Sequence, residues 1–486
     1  MRTEDVGKLD RGSPYLKAHM MDGKVYVLSD WKYDDNAKAV AGKGSLFDIN
    51  RDEIGKGAFQ VPLDNIAVFE TNQLASSNNI AMMAVMSVFS GGMSVYCLAN
   101  PKACFGSCPT FYVSDGNSQV LQAEGFSSSV ARALEARDID ALYRAVPSGP
   151  SLEVRLTNEA METHVIRYAD ILAARRPPDG RVFVTPDGLF WQATGIAAVE
   201  SAMGPEGDMT PLLRSFDGRE RFSATDGRDL ASREILNLKF PAVPGERLGL
   251  TLAFRQTLLT TYLFYQGLAY LGSSAGYWFA ELERGDPKIR EMAGGLWSLL
   301  GGIEIEAESA DGRWLRAGQI NETGPIATDV QVIPLAAGMH ATGRVRLKMT
   351  RGMWRIDYAA LARLERMVDP IPIPPSVVLK DGQPREDIAR RLQDRTEPLV
   401  TQPGDAYTLL FDLPGDAGGY ELFLESRGYY LEWMRSEWLK EEDPAKAVMA
   451  FRRPAAFLKA AAPAYRALEP EMEKTFWSSK YVHPSR

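Results

Sequence analysis

Three cysteines are the whole thiol complement of this 486-residue chain, and they fall together as Cys97, Cys104 and Cys108 in CLANPKACFGSC. Sulfur at that density suits two chemistries. Thiolates would hold a soft metal such as copper or zinc, and Met82, Met83, Met86 and Met93 just upstream would suit Cu(I). The spacing follows no common zinc pattern, however, and no histidine stands nearby to complete a tetrahedron. Alternatively, Cys104 and Cys108 close a disulfide loop across Phe-Gly-Ser, which needs a turn that brings their Cα atoms within about 7 Å. Cys97 is then left over. Disulfide, buried thiols and metal or redox site all stay open on the sequence, since methionine is also a common core filler.

A second candidate is Gly272-Ser273-Ser274-Ala275-Gly276, which matches the GxSxG nucleophile elbow with Ser274 as nucleophile and His340 as base. The hydrolase order needs alternating parallel strands and helices, whereas the flanking segments look like antiparallel strands. A small-residue break between packed helices explains the same letters. The four histidines, His19, His164, His340 and His483, do not cluster. Glu304, Glu306 and Glu308 alternate on one strand face, as paired glycosidase acids or, more simply, as a solvated face. Tyr429, Tyr430, Trp433 and Trp438 form an aromatic cluster that would serve as a platform for sugar rings or as core packing.

The elements that must position these residues read as mainly β with helical insertions, an α+β pattern of antiparallel sheets or sandwiches. Four regions follow: 1–109, an N-terminal β region with an apolar helix and the cysteine cluster; 110–257, a β-sandwich-like domain; 258–368, a helical pair and β domain; 369–486, a Pro-rich connector, strands and a helical tail. No charged residue lies between Glu70 and Lys102. We expect a buried apolar helix at about 76–98, and the twenty residues of 80–99 are long enough for a membrane span as the alternative. A helical pair is expected over about 258–300.

Composition excludes some functions. Hydrophobic residues at 45% and charged residues at 24% are those of a globular chain, and a net charge of -8 argues against a non-specific nucleic-acid binder, although a local basic patch is compatible with it. No P-loop, GxGxxG or HExxH occurs, so no cofactor is expected. The start, MRTEDVGKLDRGSPYL, lacks the apolar region of a signal peptide, which as written places the chain in the cytoplasm.

The stretches ANPKACFGSCPTFYVSDG, LQAEGFSSSVARALEARDIDALY and YELFLESRGYYLEWMRSEW together resemble a family of uncharacterised bacterial envelope proteins, often lipid-anchored, from about residue 14 onward. The shared CFGSCPTFY motif implies that Cys104 and Cys108 belong to the family framework and assigns them no role. The resemblance implies a place in the cell envelope, periplasmic or outer-membrane associated. The expectation is a binding or scaffolding module without catalysis, whose partner is a protein or a small-molecule or glycan ligand.

Overall fold

The computed structural model describes residues 6–7, 9–48, 52–71, 108–285, 287–321, 323–336, 342–395, 397–415, 417–434 and 436–479. The cysteine-rich stretch, with Cys97, Cys104 and the expected helix at 76–98, lies outside the described residues, and so does His340. The chain is 46% strand against 22% helix, which fits the expected β-rich architecture with helical insertions. Among the described residues no helix is long and apolar enough to cross a membrane.

Among the described residues five sheets carry the fold. The first is local in sequence: Tyr15–Met20, Val25–Asp34, Ala39–Phe47 and Glu53–Pro62 form an antiparallel meander, and Ile66–Glu70 returns to pair with the first strand. Alternate residues turn inward, so Leu16, Leu28, Trp31, Val40 and Phe69 build a core private to this sheet. The Asp22-Gly23 turn works as its letters suggest, with Gly23 at φ 85° donating its N–H to the Met20 carbonyl at 3.0 Å.

The other sheets draw strands from distant parts of the chain. Ser151–Thr157 pairs with Thr110–Ser114 on one side and with Ala406–Asp412 on the other. Glu162–Arg175, a strand buried at every position but its last, pairs along its length with Tyr420–Glu432. These two sheets share one hydrophobic core through Phe111, Val154, Ile166, Leu409 and Leu424. In a third sheet, Phe190–Ala198, Arg181–Val184, Asp329–Leu335, Leu248–Gln256 and Trp354–Val368 follow in hydrogen-bonded order, and the last also pairs with the first, so the five close into a ring. Pairing therefore runs across positions 257 and 368.

Five of the helices gather in one layer. Leu259–Leu271, Ala275–Glu283 and Pro287–Leu300 pack against the C-terminal helices Pro444–Arg452 and Pro454–Ser479, joined by Leu263, Leu268, Phe457 and Tyr465. The Tyr262 and Tyr465 rings meet at 4.9 Å. Asp443 caps its helix by accepting the N–H groups of Ala445 and Lys446.

Candidate functional site

The long ribbon made by Glu162–Arg175 and Tyr420–Glu432 ends at the helical layer, and there the walls of a cleft meet. The N-terminal sheet contributes its last residues, Phe69, Glu70 and Thr71; the ribbon contributes Thr163 and Glu432; the helices contribute Leu268 and Phe279, with Trp433 and Trp438 closing the other side. The cavity between them is small, about 70 Å³, and opens to solvent. An adjoining recess of about 20 Å³ shares Glu70, Thr71 and Gly276 and adds Tyr15, Lys17 and Tyr277.

The walls are apolar and aromatic, and their few polar groups are fixed. Trp433 donates its indole N–H to the Thr163 hydroxyl at 2.9 Å, which sets the ring's angle. Trp438 packs on Tyr265 with ring centres 5.6 Å apart, and the Tyr265 hydroxyl donates to Glu432 at 2.6 Å. Glu70 accepts from Lys17 Nζ at 2.9 Å and from His19 Nε2 at 3.1 Å. Burial alone would raise the Glu70 carboxyl, but Lys17 and His19 hold it down at about 2, so it is ionised at the floor of the cleft.

His19 continues this chain inward. Burial pushes it down to about 4, and the neutral ring donates from Nε2 to Glu70 while Nδ1 accepts the Tyr429 hydroxyl at 2.5 Å. Arg132 and Arg167 lie over the Tyr429 ring at 5.9 and 5.7 Å. Arg167 is the extra residue of a β-bulge between Ile166 and Tyr168, and the bulge turns its guanidinium onto Glu135 at 3.1 Å. Glu135 also receives Arg132 at 3.2 Å and Arg427 at 2.8 Å.

Two of the four aromatics expected to form a platform, Trp433 and Trp438, stand at the cleft. Tyr429 and Tyr430 do not; neighbours on a strand point to opposite faces, so Tyr429 enters the ion network and Tyr430 donates to the Ser127 carbonyl at 2.9 Å from the other side. Ser274 is exposed between the Leu259–Leu271 and Ala275–Glu283 helices in an ordinary helical conformation, φ −85° and ψ −7°, which differs from the strained strand-to-helix turn of a nucleophile elbow. The small residues there have a packing reason. A Cβ on Gly272 would come within 2.5 Å of Glu442, whose carboxylate accepts the Ser273 N–H at 2.9 Å. Cys108 is buried just before Thr110–Ser114.

The alternating acids Glu304, Glu306 and Glu308 join a cross-strand ladder in which Glu306 meets Arg346 and Lys348, and Glu308 meets Arg344. His164 is buried on Glu162 at 2.5 Å and is pushed down to about 3 by that burial.

Four carboxylates went unnoticed in the sequence. Glu124, Asp138, Asp140 and Asp329 come from three sheets to one buried region, where burial raises each above the usual carboxylate range, Asp138 to about 6 and Asp329 to about 7. They accept backbone N–H groups across the sheet junctions, Glu124 from Ile326 at 2.8 Å and Asp138 from Phe126 at 3.0 Å. Among the described residues no three His, Cys, Asp or Glu side chains converge to hold a metal.

No protein-family model matches the chain, and no curated protein sequence matches it.

Proposed function

We propose that the protein is an envelope-associated binding module, and that the aromatic cleft at the end of the long ribbon holds its ligand. The carrying observation is the cleft itself: Phe279 and Trp433 face a solvent-open space of about 70 Å³, backed by Phe69 and Trp438, which are each 1% exposed. Trp433 and Glu70 have their geometry set by fixed partners, so little side-chain ordering is left for binding to supply. The polar groups at the cleft, Glu70, Thr71, Thr163 and Glu432, are few, and most of the lining is apolar contact surface. A ligand with a flat apolar face, such as a sugar ring or an acyl chain, fits these walls. The envelope placement rests on the resemblance carried by CFGSCPTFY and its flanks. The two sheets that share a core support the reading as a sandwich-like recognition scaffold.

The test is a fluorescence titration with 1-anilinonaphthalene-8-sulfonate, followed by its displacement with a panel of soluble oligosaccharides. Removing the indole in Trp433→Ala should weaken the dye by about tenfold, the worth of one aromatic wall. Leu268→Trp should fill the cleft and do the same. Unchanged dye affinity in both folded variants would sink the reading.

A further inference from the structure

At the opposite end of the same ribbon, 14 residues and roughly 45 Å of strand away, the surface changes character. There the strand ends on Arg175, and Arg176-Pro177-Pro178-Asp179-Gly180-Arg181 folds back through a tight turn with Asp179 at φ 54°. The turn brings Arg176 and Arg181 to one carboxylate. Arg176 donates to Glu421 from Nε and Nη2 at 3.2 and 3.1 Å, and Arg181 from the same two atoms at 2.8 Å each. Glu421 is 1% exposed, while the two arginines remain 38% and 39% exposed.

One guanidinium, with the Val182 N–H at 3.3 Å, would be enough to satisfy that buried carboxylate. Two guanidiniums leave an excess positive charge. Neither Nη1 has a hydrogen-bond partner among the described residues. Arg175 adds a third cation over the Tyr420 ring at 5.7 Å, and Arg366 is tied in beside it through Gln192, whose amide donates to the Arg175 carbonyl at 2.8 Å. Arg175, Arg176 and Arg181 line an open concavity of about 610 Å³ with Ile196 and Gly419, and Asp179 is the one acid among its described lining residues. Arginines outnumber carboxylates among these residues, on a chain of net charge -8.

We propose that this concavity binds a phosphate group, free in solution or carried on an anionic lipid headgroup. A tetrahedral dianion matches guanidinium forks better than a point charge does. The forks are already held in place: Arg181 lies over Tyr143 at 4.5 Å on its face and against Glu421 on its edge, so its ordering precedes binding. The site is separate from the aromatic cleft and does not depend on it.

The experiment uses the full chain with two probes. Inorganic phosphate is titrated calorimetrically at low ionic strength, and vesicles of phosphatidylcholine with or without phosphatidic acid are tested by flotation. Arg175→Glu reverses a charge that does not touch Glu421, and Ile196→Glu sets an anion in the opposite wall, so both leave the Arg–Glu cluster whole. Each variant, with the melting temperature of the wild type, should bind at least about tenfold more weakly. Heat with phosphate and no flotation assigns a soluble ligand; flotation that requires phosphatidic acid assigns a headgroup; both support the site if the variants lose them. Absence of binding by either probe, or binding that both folded variants retain, overturns it.

Discussion

Asp329 shows how much a single side chain is asked to do. Its carboxylate accepts from the Val330 N–H at 2.7 Å and from Gln331 Nε2 at 2.6 Å, and it sits in the field of Asp138. The other groups facing this cluster are Asp140 and Glu124, with Arg255 the cation that acts on Glu124. Burial raises Asp329 from 3.8 to about 7 and Asp138 to about 6, so the folded chain keeps protons that the unfolded chain has already released. The stability these groups contribute is therefore whole below a pH of about 4 and is lost as pH rises through 6 and 7. His19 and His164 act in the other sense, because folded values of about 4 and about 3, below the usual 6.5, add stability as pH rises. Asp329→Asn isolates one member. It keeps an acceptor for Val330, and the Gln331 amide can turn to present Oε1, an atom with no hydrogen-bond partner. Its stability relative to wild type should grow by on the order of 2 kcal/mol between about pH 5 and pH 8. Urea unfolding at both pH values measures this, and parallel shifts of the two proteins would contradict it.

Among the elements, the first hairpin is the clearest case of a local signal with a distant consequence. The Gly23 carbonyl accepts from Arg132 Nε at 3.2 Å and Arg167 Nη2 at 3.0 Å, which docks the N-terminal sheet on the ribbon. A Cβ at Gly23 would lie 2.4 Å from Arg167 Nη1, on a residue already at φ +85°. Gly23→Ala should cost about 1 to 3 kcal/mol, and hydrogen exchange should speed up in the Tyr15–Met20 and Val25–Asp34 strands more than in the ribbon. Uniform exchange changes would show instead that the sheet is not held there. The sequence pointed to a mainly β chain and to the helical island at 258–300, and the Asp22-Gly23 pair marks its own turn, because such signals are local. It did not announce the bulge at Arg167 or the meeting of Glu70, Phe279 and Trp433. Those depend on pairings between segments hundreds of positions apart, for which a period-2 pattern specifies a face and no partner. Trp433 and Trp438 were legible as candidates only because aromatics crowd there.

The molecule as a whole is organised by the ribbon, with an aromatic cleft at one end and an arginine concavity at the other. Its two strands come from widely separated stretches, and so do those of the neighbouring sheet, where Ser151–Thr157 pairs with Ala406–Asp412. The Pro-rich stretch 369–376 resembles a linker by composition. Yet its Ile371–Ile373 strand pairs with Glu162–Arg175, and the Pro375 carbonyl accepts from Gln393 at 2.8 Å. A protease site placed between residues 373 and 376 tests which description governs. Because strands on both sides of the cut share sheets and cores, the two pieces should co-elute in size exclusion and melt in a single transition. That melting temperature should become concentration-dependent, since cutting turns an intramolecular closure into an association. Separation of the pieces without denaturant would mean that residues after 376 fold as a unit of their own, and the ribbon would then be an interface between two bodies instead of the spine of one.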